Sequence, residues 1–339
     1  MTKDIKKTAI TVLLLLFSIL TGTSIYGQNG ILSEHEAARN TVWPAKILKK
    51  VEFLADSICQ GRATGTRGNV EAGFYIVKQF EKAGLMPMEG TFVKHFFAGR
   101  GLVGHNIMGF LPASIKNPSD KYVIVGAHYD HLGSLSGSVY PGADANASGT
   151  AALICLADMF STMKTLGKSY GKNIIFVAFD AKEMDMAGSE ALWRMIENKD
   201  LINPQTGAVI TPDKISLMVN IDQIGTTLAP IHKDRPDYMI MLGTHSLPRD
   251  KRTLLQLCNK LYSINLDIGL DYYSSENFTR IFYRLSDQKV FVDNGIPAVM
   301  FTSGITMNTN RTRDTPSTIS GEITKRRIWL IYHWLSKMI

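Results

Sequence analysis

Short apolar runs suited to strands alternate with helical repeats along most of this chain. That alternation constrains the fold more than any other feature. The spacing predicts strands at 122–127, 173–179, 216–222 and 297–302, and helices at about 148–163, 187–197, 252–264 and 321–338. Upstream, Ile47, Val51, Leu54 and Ala55, then Ala72, Tyr75, Ile76 and Phe80, recur at helical spacing. They give an N-terminal helical segment over about 42–85, interrupted by the turn-rich loop 60–68. The expected class is α/β: a three-layer αβα sandwich whose mixed, mainly parallel central sheet carries helices on both faces. The loop at 199–212, with two prolines and a glycine, is expected on the surface.

The first 27 residues stand outside that pattern. Lys3, Lys6 and Lys7 precede an apolar core from Ala9 to Leu20, and small and polar residues lead to Gly27. This is the pattern of a signal peptide, cut before Gln28, and it places residues 28–339 across the inner membrane, periplasmic or extracellular. The mature chain reads as a single domain without a membrane span. Loss of three lysines and one aspartate lowers the net charge from +7 to +5. No Lys/Arg block marks a nucleic-acid surface, so nucleic acid is not an expected partner. Cys59, Cys155 and Cys258 are odd in number and widely spaced, which argues against a disulfide framework. Cys155, inside Ala151–Ala157, reads as a small core residue.

Three of the strand-like runs end on groups that a divalent metal accepts. The first runs into His128-Tyr129-Asp130, the second into Asp180-Ala-Lys-Glu183, and the third into Asp222. Open α/β sheets bind ligands beyond the carboxyl ends of their strands. A ligating histidine usually donates its other ring N–H to a carboxylate, a part Asp130 can take. Taken alone, a histidine after a strand is more often a hydrogen-bonded core or loop residue, and Asp180–Glu183 can equally be a solvated loop. Asp222 follows apolar residues, where an unpaired charge is costly, so it calls for a metal or a cation. The Gly-rich stretch Pro141–Gly149 reads as a tight loop entering a helix, with Asn146 or Ser148 as cap and Asp144 as its ionisable group.

The order of these segments resembles the clan MH zinc exopeptidases, which include bacterial leucyl aminopeptidases, glutamate carboxypeptidase, glutaminyl cyclases and the transferrin receptor ectodomain. The likeness runs through Gly61-Arg-Ala-Thr-Gly-Thr-Arg-Gly68, Gly126-Ala-His-Tyr-Asp-His-Leu-Gly133, Gly142-Ala-Asp-Ala-Asn-Ala-Ser-Gly149 and Phe176-Val-Ala-Phe-Asp-Ala-Lys-Glu183. It continues through Asn220-Ile-Asp-Gln-Ile-Gly225, Gly295-Ile-Pro297 and Arg311-Thr-Arg-Asp-Thr315. The resemblance implies a zinc aminopeptidase-like sandwich and a metallopeptidase, a hydrolase acting on peptides. By motif position it makes His128 and Asp222 ligands of a first zinc, Glu183 a ligand of a second, and Asp130 the residue that orients His128. It also exposes three departures: Ala145 stands where an aspartate bridges the metals, Lys182 where a glutamate is general base, and Asn310 where a histidine holds the second zinc. Gln288 is a softer departure from a frequent histidine.

Two-metal sites hold their ions about 3.5–4 Å apart, and a shared carboxylate offsets their repulsion. A methyl group cannot. With Asn310 also in place of an imidazole, the second zinc keeps only Glu183. The first keeps His128 and Asp222, with Asp144 or Glu183 as a substitute third donor. The expected cofactor is therefore at most one weakly held zinc, and none if the Lys182 ammonium replaces the metal's charge. Lysine normally titrates near pH 10.4, far from what a general base needs. The sequence thus points to a secreted pseudoenzyme of a peptidase family that binds a peptide or protein partner. The alternative is an active zinc aminopeptidase with a mononuclear or rearranged site. A glutaminyl cyclase-like transferase is the weakest reading, since it relies on the positions of Ala145, Glu183 and Asn310.

Overall fold

The computed structural model describes residues 33–227, 232–272 and 274–339. The segment expected to be a signal peptide, residues 1–27, therefore lies outside the described residues. The chain divides into a unit ending at Thr41, of which residues 33–41 are described and helical, and a unit from Val42 to Ile339. The second unit holds the sheet and the converging strand ends.

The strands are β1 Met86–Pro87, β2 Val93–Gly99, β3 Leu102–Leu111, β4 Tyr122–His128, β5 Gly133–Leu135, β6 Ser138–Tyr140, β7 Asn173–Phe179, β8 Ile215–Ile221, β9 Tyr238–Leu242, β10 Asp267–Gly269 and β11 Ala298–Thr302. The helices are α1 Pro44–Leu54, α2 Arg67–Lys82, α3 Gly149–Thr165, α4 Ala187–Glu197, α5 Leu254–Leu261, α6 Glu276–Phe282, α7 Lys289–Asp293 and α8 Gly321–Ser336. One sheet runs in the order β1-β3-β7-β4-β8-β11-β9-β10, with β2 also on β3, and β5 pairs with β6 in a separate ribbon.

The parallel character is concentrated at the centre. β7, β4, β8 and β11 pair in parallel, while β3 joins β7, and β9 joins β11, in antiparallel fashion. β4 and β7 are buried along their whole length, as strands covered on both faces must be. One face packs Leu192, Trp193 and Ile196 of α4 and Val290 and Phe291 of α7 against Ile124, Ile175 and Val177. On α8, Trp334 meets Phe301 edge-on at 5.2 Å, and Tyr332 packs on Phe160 of α3 at 4.8 Å. This is an αβα sandwich with a mixed sheet.

One expectation needs correction, and one part of the sheet was not expected. The 199–212 loop is anchored rather than lying loosely on the surface: Leu201 and Ile210 are fully buried and join the core. The antiparallel edge β1–β3 is hidden in the sequence because Gly99, Arg100, Gly101 and Gly104 interrupt its alternation.

Candidate functional site

The carboxyl ends of β4, β7 and β8 converge because these three strands are adjacent and parallel. His128 closes β4, with its ring buried. Its Nδ1 donates to the Asp130 carbonyl at 3.1 Å and lies 3.5 Å from Asp130 Oδ1. Its Nε2 faces Asp222 Oδ1 at 3.5 Å. Burial opposes a charged imidazole, but the Asp222 and Asp130 carboxylates together lift the His128 pKa to about 10.

Asp130 also shapes the neighbouring turn. Lys182 N donates to its Oδ1 and Glu183 N to its Oδ2, both at 3.0 Å. Ala181 adopts φ 58°, the left-handed region that non-glycine residues seldom occupy. The Asp130 carboxylate holds the chain there and so places Lys182 and Glu183 beyond β7. Lys182 Nζ then donates to Glu183 Oε1 at 3.1 Å. Burial disfavours the ammonium, yet Asp222 and Glu183 together keep the Lys182 pKa above its ordinary value.

Asp222 is satisfied from behind. Ser286 Oγ donates to Asp222 Oδ2 at 2.7 Å; Asn220 Nδ2 donates to Ser286 Oγ at 2.8 Å and to Gln288 Oε1 at 2.7 Å. The Asp222 pKa falls well below the usual carboxylate range although burial opposes this, because Lys182 and His128 favour the charged form. The charge that called for a metal or cation thus has His128 facing it and Lys182 nearby.

The remaining expected residues divide. Ala145, Lys182 and Asn310 line a single cavity of about 190 Å³ together with Asp222, Gln223, Ser286 and an apolar wall of Tyr272, Phe282, Leu285, Met300 and Ile305. Asp144 is held elsewhere: its Oδ1 accepts from Gly225 N at 2.7 Å and from Ser148 Oγ at 2.9 Å. Burial, with Asp314 nearby, raises the Asp144 pKa to about 6. Asn146, one of the two expected caps, accepts from Gly149 N at the start of α3. A Cβ on Gly149 would sit 2.3 Å from Asn146 Oδ1 and 2.6 Å from the Ile221 carbonyl, so only glycine lets α3 begin against β8. Asp180 is no solvated loop residue. It is buried and accepts from Thr64, Asn69, His105 N and Ala181 N at 2.8–2.9 Å.

Sequence reasoning missed two kinds of residue. Ser286 and Asn220 support Asp222, but nothing local to either of them shows it. Arg62 is fully buried, and its guanidinium donates to the carbonyls of Tyr129, Leu54, Pro141 and Gly142. An arginine between a glycine and an alanine in a loop gives no sign of that clamp.

Residues 106–335 match the family described as Peptidase family M28. The chain belongs to that family. Solved structures give the same fold. The LapA aminopeptidase of Legionella pneumophila is 17% identical, with a TM-score of 0.66, over 90% of this chain and 74% of that one. A zinc aminopeptidase from Bacillus subtilis is 13% identical, with a TM-score of 0.63, over 87% and 95%. The glutaminyl cyclase of Fimbriiglobus ruber is 19% identical, with a TM-score of 0.65, over 87% and 95%. No curated protein matches the chain by sequence.

The residues present do not fit a zinc pair. Among the described residues no three His, Cys, Asp or Glu side chains gather so as to hold a metal ion. Ala145 offers no donor, Glu183 is engaged by an ammonium, and His128 and Asp222 face each other. Catalytic zinc needs three protein ligands around an open position.

Proposed function

We propose that this M28 chain is a secreted, catalytically degenerate peptidase that uses its old cleft to bind a peptide or a peptide segment of a partner protein. One observation carries the reading: the residues at the bridge, base and last-ligand positions, Ala145, Lys182 and Asn310, all face the same cavity as Asp222. In this reading the Lys182 ammonium takes over the charge-neutralising part of a metal, holding Glu183 directly and lying close enough to lower the Asp222 pKa. A lysine whose pKa is raised is fully protonated at neutral pH and cannot take a proton from water. The cleft still has the means to bind. Leu285 and Ile305 line it yet stay exposed, and the exposed Phe278 stacks on the lining Phe282 at 6.0 Å. Such a wall suits an apolar peptide side chain.

The test is turnover of aminoacyl chromogenic substrates by the mature chain with added zinc. The reading expects none above background, and a large gain in the triple variant Ala145→Asp, Lys182→Glu, Asn310→His. Zinc-dependent turnover by the unaltered chain would establish instead an active aminopeptidase with a mononuclear or rearranged site.

A further inference from the structure

A second cavity, of about 390 Å³, lies between α2 and the β2–β3 hairpin and shares no lining residue with the cleft. Val70, Phe74, Val93 and Ile107 make its apolar wall, and two histidines, His95 and His105, complete it. These are direct cross-strand partners on antiparallel β2 and β3, so both side chains leave the same face of the hairpin. Their ring centres are 4.9 Å apart and their planes cross at 79°. His95 is exposed. On His105, Nδ1 is buried without a hydrogen-bond partner and lies 3.8 Å from Asp180 Oδ2. That same oxygen accepts the His105 backbone N–H at 2.9 Å, which fixes the residue against the carboxylate.

We propose that His95 and His105 form a bidentate site for a divalent transition metal of the zinc or copper type, with Asp180 orienting His105 from behind. The geometry carries the assignment. With Zn–N bonds of about 2.0–2.1 Å and a tetrahedral angle, two ligating imidazoles put their ring centres about 5 Å apart. The pair already stands at that separation on directly opposed hairpin positions. Imidazole suits zinc, copper and nickel, and a carboxylate behind one ring is the usual support of a ligating histidine. Asp180 beside Nδ1 favours the tautomer that leaves Nε2 as the ligating atom of His105. Two protein ligands leave two tetrahedral positions for water or for a donor atom of a small molecule seated against Phe74 and Val70. The site is independent of the peptidase cleft and of the function proposed for it.

The test is calorimetric titration of the tag-free mature chain with Zn²⁺, repeated for His95→Gln, His105→Gln and His128→Gln. A Cu²⁺ electron paramagnetic resonance spectrum counts the equatorial nitrogens. The expected result is one site per chain, at least about tenfold weaker in each of the first two variants and unchanged in the third, with two imidazole nitrogens on copper. The exposed position of His95 keeps its variant informative even if His105→Gln folds poorly. Unchanged affinity in His95→Gln, or loss confined to His128→Gln, would overturn the assignment.

Discussion

The floor of the cleft and its open wall are built from different kinds of contact. In the buried loops that carry the cleft residues, here called its floor, polar groups meet partners of opposite character: Asp130 takes two backbone N–H groups and faces His128, Asp222 takes Ser286, and Arg62 satisfies four carbonyls. On the wall, Ala145, Lys182 and Asn310 supply a methyl, an ammonium and an amide where a two-metal peptidase needs anions and an imidazole. The floor folds the loops, and in the proposed function the wall lacks the groups for peptide hydrolysis. A scaffold can keep the first without the second, since function lives in sites grafted on folds.

The strongest way to break this contrast is to remove a floor residue. Arg62→Met orphans buried carbonyls at about 1–3 kcal/mol each, so the variant should lose at least about 3 kcal/mol in urea unfolding, or fail to fold. Substitution on the wall should be milder and should depend on metal. Lys182→Glu sets a third carboxylate beside those of Glu183 and Asp222. It should cost about 1–2 kcal/mol in chelator, because the Lys182 and Glu183 side chains are about one-fifth exposed and partly screened. Added zinc should return part of that stability, seen as a rise in Tm.

A pH series sharpens the contrast further. Asp287 is buried without a well-formed hydrogen bond to either carboxylate oxygen, and burial raises its pKa to about 7. The folded state therefore holds the proton more tightly than the unfolded chain, and this contribution is present at low pH and lost as pH rises from about 4 through 7. Asp144, at about 6, adds to the loss in the same direction. His128 is also raised, so its contribution is complete below about 6.5 and disappears through about 10. Buried His131, held well below its ordinary pKa by burial, works the other way up to about pH 6.5, so the net fall should be clearest from pH 6.5 to pH 8; Asp287→Asn should recover about 1–3 kcal/mol at pH 8 and less at pH 5. The smallest effect belongs to the exposed hairpin: His95→Gln should stay within about 0.5 kcal/mol of the parent in urea unfolding.

Much of this was legible in the sequence where one residue type has one meaning. The long apolar runs mark β4, β7 and β8 within a residue, because strands buried on both faces need no alternation to be recognised. The α/β class and family follow from the same runs and the residues at their ends. What stayed hidden was set by distant partners. Asp180 looks like a loop carboxylate because its donors, Thr64, Asn69 and His105, come from far upstream. Asp144 gives no sign that Gly225 N and Ser148 Oγ occupy its carboxylate. The His95–His105 pairing depends on a hairpin register that the glycines around 99–104 conceal.

The proposed function requires that this cleft hold no zinc pair. The most direct measurement is the zinc content after zinc loading and gel filtration, with His95→Gln as the background so that the hairpin does not contribute. Well under one zinc per chain is expected in that background, and about two once Ala145→Asp, Lys182→Glu and Asn310→His are added. Stoichiometric zinc before those three changes would contradict it.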